Sequence, residues 1–367
     1  MAIFINRKKE KIIETINNSL WDLPSPSTIT YFWNFGSTLG LCLATQILTG
    51  ILLTFHYTSF ASHSFRSIVE IIREVWSGWI VRLVHMNGAS VFFFFIYLHL
   101  FRGMFYLRGV HKKVWARGVS IIILLMAISF LGYVLPWGQM SYWAVAVITN
   151  LLSVIPIVGD QVVTWIWGGF AVRSPTLTRF YSLHFILPFL LSFLVIIHLI
   201  FLHREGSSNS IGLNRNIDKI QFHPYFTIKD LLFIATVVTL AFMVSFFFPY
   251  ILGDAINNVP ANSMQTPVHI QPEWYFLPSY AILRALPRKT AGVLALLLSV
   301  SVFYVMPLFK IKFSTKFSSR RYLIFWGLIS SFIFLIKMGA LPAEEPYVLI
   351  RKCGSICYFS TLLLLNI

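Results

Sequence analysis

The chain has 367 residues, of which 57% are hydrophobic and only 11% are charged, and its formal net charge is +16. A soluble globular protein could not bury this much apolar surface, so the composition excludes that class and indicates a protein with several membrane spans. The basic balance favours membrane topology and contact with anionic lipids, and we expect no nucleic-acid partner.

The first twenty residues predict a helix that lies along the membrane surface. They contain four basic residues but no apolar core of signal-peptide length, so no cleavable signal is indicated. Apolar residues recur there at helical spacing, which gives the helix one apolar face. These residues are Ile5, Ile12, Ile13, Ile16 and Leu20.

Eight further stretches approach the roughly 20 apolar residues that a lipid-spanning helix needs. They lie at approximately 31–55, 80–101, 117–136, 180–202, 230–251, 291–309, 323–340 and 348–367. The predicted fold is therefore an all-α membrane protein with eight transmembrane helices, with both termini on one face. That face carries 18 of the 29 Lys and Arg residues, so we expect it to be the negative side, matrix or cytoplasm.

The segment 139–170 is apolar but is interrupted by Asn150, Pro156, Gly159 and Asp160. Each half is too short to span a bilayer. We expect two short helices on the positive side, which leaves the second and fourth spans running in the same direction.

The three cysteines, Cys42, Cys353 and Cys357, fall within predicted spans. The sequence has no CxxCH haem-attachment motif. Neither a disulfide framework nor c-type haem is indicated.

Four histidines fall inside two spans, His85 and His99 on the second and His184 and His198 on the fourth. Both intervals are 14 residues. Fourteen residues of α-helix return to within about 40° of the same face and rise about 21 Å. Each helix therefore presents one imidazole toward either side of the membrane.

Because the two spans run in parallel, His85 is expected to face His184 and His99 to face His198. Two neutral imidazoles without a carboxylate or thiolate suit the axial positions of a planar macrocycle, so each pair is a candidate ligand set for b-type haem. Hydrogen bonding within the helix bundle is the alternative for any single histidine, but the matched spacing favours ligation.

Glycines on the first and third spans repeat the 14-residue interval, at Gly36 and Gly50 and at Gly118 and Gly132. They would let a flat macrocycle approach the backbone, although small residues also serve close helix packing. Arg82 precedes His85 by three residues, and Arg102 follows His99 by three residues. These arginines either pair with haem propionates or are ordinary cations at the membrane boundary.

Several motifs resemble cytochrome b of the respiratory quinol–cytochrome c reductase, complex III. The resemblance runs from about residue 20 to the end. The photosynthetic relatives are usually split into two chains and have one more residue between the histidines of the fourth span, so the respiratory branch fits better. The motifs are WNFGSTLG, GILLTFHYT, HMNGAS, LHLFRG, GYVLPWGQMSYW, LTRFYSLHFILPF, FHPYFTIKD, PEWYFLPSYAILR and GALPAEEPY.

The resemblance implies an N-terminal di-haem four-helix bundle over residues 1–220 and a C-terminal four-helix part over 221–367. It implies that ubiquinol is oxidised near the positive side, with one electron passing to a Rieske iron–sulfur protein. The other electron crosses a low-potential haem and a high-potential haem and reduces quinone near the negative side. The low-potential haem would be bound by His85 and His184, and the high-potential haem by His99 and His198.

In PEWYFLPSY, the resemblance assigns Glu273, Tyr275 and Tyr280 to quinol oxidation. From the residues alone, Glu273 is equally well explained as a carboxylate at a helix start, with Pro272 in the first turn. Quinol oxidation releases two protons where water is scarce, and a carboxylate can accept one. With the resemblance, we favour the proton acceptor.

On the negative side, His203, Ser207, Lys229 and Asp230 match positions around the family's quinone-reduction pocket. His203 and Asp230 would hydrogen-bond the two carbonyl oxygens and help to protonate them. Outside that context, such residues cap helix ends. Ser208 replaces the Asn common in the family, which leaves the polar detail of this pocket open.

Ala144 stands where the family usually has Gly, beside the quinol-oxidation pocket. Its methyl group is expected to oppose rigid inhibitors of the methoxyacrylate type and to spare a flexible quinol. The alternative is that Ala144 favours its helix and points away from the pocket.

The resemblance further implies a homodimeric complex with a cytochrome c-type haem subunit, further complex III subunits and bound lipids. The expected location is the mitochondrial inner membrane, with the bacterial plasma membrane second. Two other functions remain: a di-haem b membrane anchor of another quinone-linked oxidoreductase and a proton-coupled transporter. The anchor would lack a quinol-oxidation motif, and the transporter would lack a chromophore.

Overall fold

A computed structural model describes residues 10–106, 111–211, 216–309 and 315–366. Within these ranges the chain forms thirteen α-helices and one pair of short antiparallel strands, β1 (Pro24–Pro26) and β2 (Lys219–Gln221). The helices are α1 (Lys11–Leu20), α2 (Phe35–Thr54), α3 (Ser64–Arg73), α4 (Gly78–Phe105), α5 (Lys112–Val134), α6 (Gln139–Asn150), α7 (Gly159–Trp167), α8 (Ser174–Glu205), α9 (Tyr225–Phe247), α10 (Leu277–Arg284), α11 (Lys289–Ser301), α12 (Ser319–Gly339) and α13 (Tyr347–Asn366).

Seven of the described helices are long and apolar enough to cross a membrane, namely α2, α4, α5, α8, α9, α12 and α13. A helix pairs its backbone donors and acceptors internally, which is what a lipid environment requires, and α8 contains one interruption of this pattern at Pro188. The predicted all-α membrane fold is confirmed.

The sixth predicted span, 291–309, is shorter than we expected. Its helix and the 3₁₀ turn that follows form an apolar stretch of 16 residues, Lys289–Tyr304. Pro307 follows within a further 3₁₀ turn, Met306–Leu308. A proline has no N–H to donate and disfavours helical geometry in the residue before it, so a regular helix is not continued here.

This short segment nevertheless has polar contacts at both of its ends. At its start, Lys289 Nζ donates to Ser153 Oγ at 2.7 Å, beyond the end of α6. At its end, Trp115 Nε1 donates to the Phe303 carbonyl at 2.7 Å, and Ser120 Oγ lies 2.7 Å from the Tyr304 hydroxyl. The segment thus joins the turn after α6 to the N-terminal half of α5, and an eighth span at this position stays a prediction.

The apolar segment after α5 forms the two short helices that we predicted, α6 and α7. A 3₁₀ turn, Leu151–Val154, separates them. Gly168, at φ 72°, ends α7 in the left-handed conformation that glycine adopts without strain, and Pro175 lies in the first turn of α8.

The N-terminal helix α1 is amphipathic, as expected. Ile13, Ile16 and Leu20 are exposed, whereas Asn17 is buried. An exposed apolar face of this kind suits a helix that lies on a membrane surface. Ile5 and the side chain of Ile12 lie outside what the structure describes.

Two helix pairs position the predicted site residues: α2 packs against α4, and α5 packs against α8. The histidines lie on α4 and α8, and the glycines lie on the facing helices α2 and α5. The largest apolar core includes Phe93 and Leu191 from these pairs and Leu335 from α12.

Candidate functional site

The predicted partners His85 and His184 lie side by side. Their ring centroids are 6.3 Å apart, and the two rings are nearly perpendicular, at 88°. Two bonds of about 2 Å from imidazole nitrogens to one shared ion separate the ring centres by about 6 Å. The observed spacing therefore suits two axial ligands of one iron.

Both imidazoles of this pair use Nδ1 for a hydrogen bond within the bundle. His184 Nδ1 lies 2.8 Å from the Ile128 carbonyl oxygen, and His85 Nδ1 lies 2.9 Å from Thr49 Oγ1. The Thr49 hydroxyl itself donates to the Thr45 carbonyl at 2.7 Å, so it accepts from His85. Because both Nδ1 atoms donate, each Nε2 keeps a free lone pair, as in most metal-binding histidines.

Each predicted glycine lies against one of the four histidines. A methyl group on Gly36 would lie 3.7 Å from His99 Cε1, and one on Gly50 would lie 3.2 Å from His85 Cε1. The corresponding distance from Gly118 to His198 Cε1 is 3.5 Å, and at Gly132 a methyl group would overlap with the His184 ring. We expected the glycines to admit the macrocycle edge, and in this structure they admit the imidazoles.

A cavity of about 520 Å³ opens at the first histidine pair. Its lining includes both histidines, Gly50, Gly132 and Arg82. No group of three or more potential metal-binding His, Cys, Asp or Glu residues occurs in the described ranges. A pair of imidazoles beside a roomy, largely apolar cavity and a cation fits a planar, anionic macrocycle better than a small metal ion.

Arg102 lies beside the second pair, His99 and His198. Its Nη2 lies 3.1 Å from His99 Nδ1, and its guanidinium is 5.1 Å from the centre of the Trp33 ring. Arg102 Nε is buried and has no hydrogen-bond partner. An unpaired, buried guanidinium nitrogen is costly, so the position favours an anionic partner.

Glu273 precedes a 3₁₀ turn, Trp274–Phe276, as its N-cap residue. Its side chain accepts no hydrogen bond from that turn, so the helix-capping alternative lacks its defining contact. The expectation that Pro272 lies in the first helical turn is wrong, because the turn begins at Trp274. Pro278 has that place in α10.

The Glu273 carboxyl lies in the walls of two cavities, the one at the first histidine pair and a smaller one of about 200 Å³. Burial, and secondarily the charge of Asp254, raises its pKa to about 7. The Tyr133 hydroxyl and the Arg82 guanidinium oppose this shift. Tyr133 and Asp254 line both cavities as well. A carboxyl with this pKa exchanges protons readily near neutral pH.

Tyr275 and Tyr280 have different surroundings. The Tyr275 ring is buried against Phe93 and borders the larger cavity. Tyr280 lines neither cavity; its hydroxyl donates to the Ile270 carbonyl at 3.1 Å, and the Arg284 guanidinium lies 4.9 Å from its ring centre. The structure thus brings Tyr275 to the Glu273 site, whereas Tyr280 lies outside both cavities.

On the opposite side, Lys229 and Asp230 contact the segment that leads into α2. Lys229 Nζ donates to the Ile29 carbonyl at 2.7 Å, and Asp230 Oδ1 accepts from Ser37 Oγ at 2.8 Å. His203 is half-buried in the last turn of α8, and Ser207 follows that helix. Among the described residues, no hydrogen bond or ion pair joins His203 to Asp230.

Ala144 is 4% exposed and lies on α6. It is absent from the lining of both cavities described above. The structure therefore does not bring its methyl group to the Glu273 site, and its effect on inhibitors stays a prediction.

Three further residues lie beside the predicted ones and had no predicted role, namely Tyr133 and Asp254 near Glu273 and Ser37 near Asp230. Tyr133 and Ser37 lie within the motifs GYVLPWGQMSYW and WNFGSTLG, so the motifs contained the signal. Asp254 lies in the long connection between α9 and α10, where no spacing or motif marked it.

Family models match most of the chain. The model described as "Cytochrome b/b6/petB" matches residues 20–206. The model described as "Cytochrome b(C-terminal)/b6/petD" matches residues 260–359. A solved structure entitled "Hyperthermophilic respiratory Complex III" is similar to the chain with a TM-score of 0.90 and 27% sequence identity, over 100% of this chain and 98% of that one.

Proposed function

Since the chain belongs to the cytochrome b family, we propose that it is the di-haem b subunit of a respiratory quinol–cytochrome c reductase. In this function it oxidises ubiquinol near the positive side and transfers electrons across the membrane. It reduces quinone near the negative side, so that the cycle contributes to proton translocation. The match to a complex III structure over nearly the whole of both chains supports this proposal.

The observation that carries the proposal is the arrangement of His85 and His184. Their 6.3 Å separation, their Nδ1 hydrogen bonds and the adjoining cavity together provide two free Nε2 lone pairs beside space for a flat group. In our proposal this pair holds the low-potential b haem, and His99 and His198 hold the high-potential one. When bound, the haems supply one-electron redox chemistry.

The surrounding residues orient these ligands. Thr49 and the Ile128 carbonyl fix the tautomer and ring plane of His85 and His184. Arg82 and Arg102 are proposed to pair with propionates. For Arg102 this means turning from His99 Nδ1 toward the anionic group, which leaves His99 free to donate through Nδ1 and to bind through Nε2.

At the quinol site, Glu273 accepts a proton from the quinol hydroxyl and releases it toward the outer side. Its raised pKa, about 7, supports this role because the carboxylate is basic enough to take the proton and acidic enough to pass it on. Tyr133 lies beside it in both cavities. Tyr275 forms part of the wall, and we assign Tyr280 to support of the same segment.

At the quinone site, Asp230 and His203 are proposed to hydrogen-bond and protonate the two quinone oxygens. Ser37 holds the Asp230 carboxylate at 2.8 Å, which supports a fixed orientation of this group. Lys229 and Ser207 complete the polar wall, with Lys229 anchored on the Ile29 carbonyl.

The proposal includes an assembly and a location. We propose that the chain divides near residue 220 into the di-haem bundle and the C-terminal part. The partners are a Rieske iron–sulfur protein, a cytochrome c-type haem subunit, further complex III subunits, lipids and a second copy of this chain. The chain is a multi-pass membrane protein, and we assign it to the mitochondrial inner membrane.

The deciding experiment is a reduced-minus-oxidised visible spectrum of the purified complex, together with its quinol–cytochrome c reductase activity. We expect two b-haem components and turnover with ubiquinol. A complex without a chromophore would favour the transporter, and b haems without quinol oxidation would favour a membrane anchor of another oxidoreductase.

A further inference from the structure

A positively charged side chain, Arg351, is completely buried in the C-terminal part of the protein. It lies near the start of α13 and is 0% exposed. A buried guanidinium is costly unless its donors find acceptors. Its position therefore depends on what it contacts.

The Arg351 guanidinium binds one carbonyl in the last turn of α12 and two carbonyls just beyond it, and its Nη1 has no hydrogen-bond partner among the described residues. Nε donates to the Met338 carbonyl at 3.0 Å, and Nη2 donates to the Leu341 carbonyl at 2.8 Å and to that of Pro342. The last carbonyls of a helix lack donors within the helix and carry partial negative charge. Arg351 supplies both the donors and the opposite charge.

A second guanidinium reaches the same turn from the other side. Arg284, at the end of α10, donates from Nη1 to the Leu341 carbonyl at 3.2 Å. Among the described residues, neither Arg284 nor Arg351 forms an ion pair with a carboxylate. The turn 338–342 is thus held between α10 and α13 by two cations that share one carbonyl oxygen.

This turn forms part of the wall of the Glu273 site. Gly339 lies so close to Leu277 that a methyl group on Gly339 would overlap with the Leu277 carbonyl oxygen. Leu277 directly follows the Trp274–Phe276 turn. The next residue, Ala340, lines the smaller cavity together with Glu273.

We propose that Arg351 is a positioning residue for quinol oxidation, which holds the turn 338–342 against Leu277 and so keeps water away from Glu273. This inference rests on the proposed function. Arg351 acts through the cavity wall, since the charged and titratable groups that act on Glu273 are Asp254, Tyr133 and Arg82.

The test replaces Arg351 in the purified complex and measures quinol oxidation against pH. In Arg351→Met the turn keeps only the side-chain donor of Arg284, and we expect the cavity to hydrate. Hydration weakens the largest cause of the raised Glu273 pKa, so the acid limb of the profile should move from about pH 7 toward the ordinary Glu value of about 4.3. We expect a downward shift of about 1 pH unit or more, with a higher KM for quinol and an unchanged haem spectrum.

Lys352→Met is the matched control. It removes a cation from the neighbouring, partly exposed position of the same helix, which lines neither cavity. Its profile should superimpose on that of the wild type. An equal shift in Lys352→Met would overturn the inference, because a general charge effect would then explain the result.

Arg351→Lys keeps the positive charge but loses the planar guanidinium group and its paired donors. It should shift the acid limb of the pH profile by less than Arg351→Met does. If the Met variant does not assemble, the Lys variant decides the question. Wild-type profiles in all assembled Arg351 variants would overturn the inference and leave the proposed function standing. A wild-type complex unable to oxidise quinol would overturn the proposed function itself.

Discussion

The rings of Phe93 and Tyr275 are stacked almost in parallel, with centroids 3.9 Å apart and planes inclined by 3°. Phe93 lies on α4, the helix that carries His85 and His99. From the same helix, the Tyr97 hydroxyl donates to the Tyr275 carbonyl at 2.5 Å. The segment after Glu273 is therefore fixed directly to the helix that carries one histidine of each pair.

Tyr97→Phe should destabilise the protein and slow quinol oxidation. It leaves the Tyr275 carbonyl without this donor in a buried position, at a cost of about 1 to 3 kcal/mol. Thermal denaturation followed by haem absorbance measures the stability change. Tyr106→Phe is the control on the same helix, since Tyr106 lies at the C-cap of α4. Equal melting temperatures for Tyr97→Phe and the wild type would contradict this explanation.

Replacement of His99 or His198 by Leu should remove one b-haem component and retain the other, because in the proposed function each histidine pair holds one haem. Visible difference spectra of the purified complex measure this. His56→Gln, at an exposed position outside both pairs, should retain both components. Two haems in either Leu variant would refute the pairing.

Glu273→Gln should slow quinol oxidation and remove the acid limb of its pH profile. In the proposed function the carboxylate form accepts the proton, so the activity of the wild type should rise as pH passes through about 7. Because the folded-state pKa lies above that of the unfolded chain, ionisation of Glu273 costs stability as pH rises from about 4.3 to 7. The Gln variant avoids this cost and should be no less stable at pH 8. An unchanged rate and profile would instead indicate a purely structural side chain.

Asp254→Asn should move the same acid limb to lower pH, by up to about 1 unit, because the neighbouring negative charge is lost. Asn retains an oxygen that can accept the Ile256 N–H, which Asp254 Oδ1 accepts at 2.8 Å. The turn Ala255–Asn258 should therefore be preserved. Steady-state rates across pH measure the shift, and a shift to higher pH would show that Asp254 acts by another route.

Asp230→Asn should impair oxidation of the high-potential haem by quinone and spare electron entry from quinol. Stopped-flow absorbance separates these half-reactions. Ser37→Ala, which removes the 2.8 Å hydrogen bond to Asp230, should give a milder form of the same defect. Comparable damage to both half-reactions would indicate a general structural role for Asp230.

The histidine positions could be predicted from the sequence because a helix has a fixed period and rise. Fourteen-residue intervals on parallel helices leave little freedom, and His85 lies beside His184 as expected. That Gly50 and Gly132 lie against these imidazoles was not predicted. The neighbours of Glu273 could not be predicted in this way. Asp254 reaches the site from an irregular connection, whose course depends on packing rather than on a repeating pattern.

Ala144 illustrates the limit of motif reasoning. Its place in the motif predicts a methyl group beside the quinol pocket. In the structure Ala144 is buried on α6 and lines neither cavity, so its effect on inhibitors stays a prediction. A motif identifies a position along the chain, but the direction of a side chain depends on how its helix packs.

The short apolar stretch Lys289–Tyr304 has a consequence for the surrounding lipid. A 16-residue stretch is about 24 Å long, against a hydrocarbon thickness of about 30 Å. Leu294, Leu297 and Leu298 are exposed on its surface, and an apolar surface of this kind suits contact with acyl chains. A bilayer meets a short helix by thinning locally. The bilayer should therefore be locally thinner along Lys289–Tyr304, where lipids with shorter or more disordered tails are favoured.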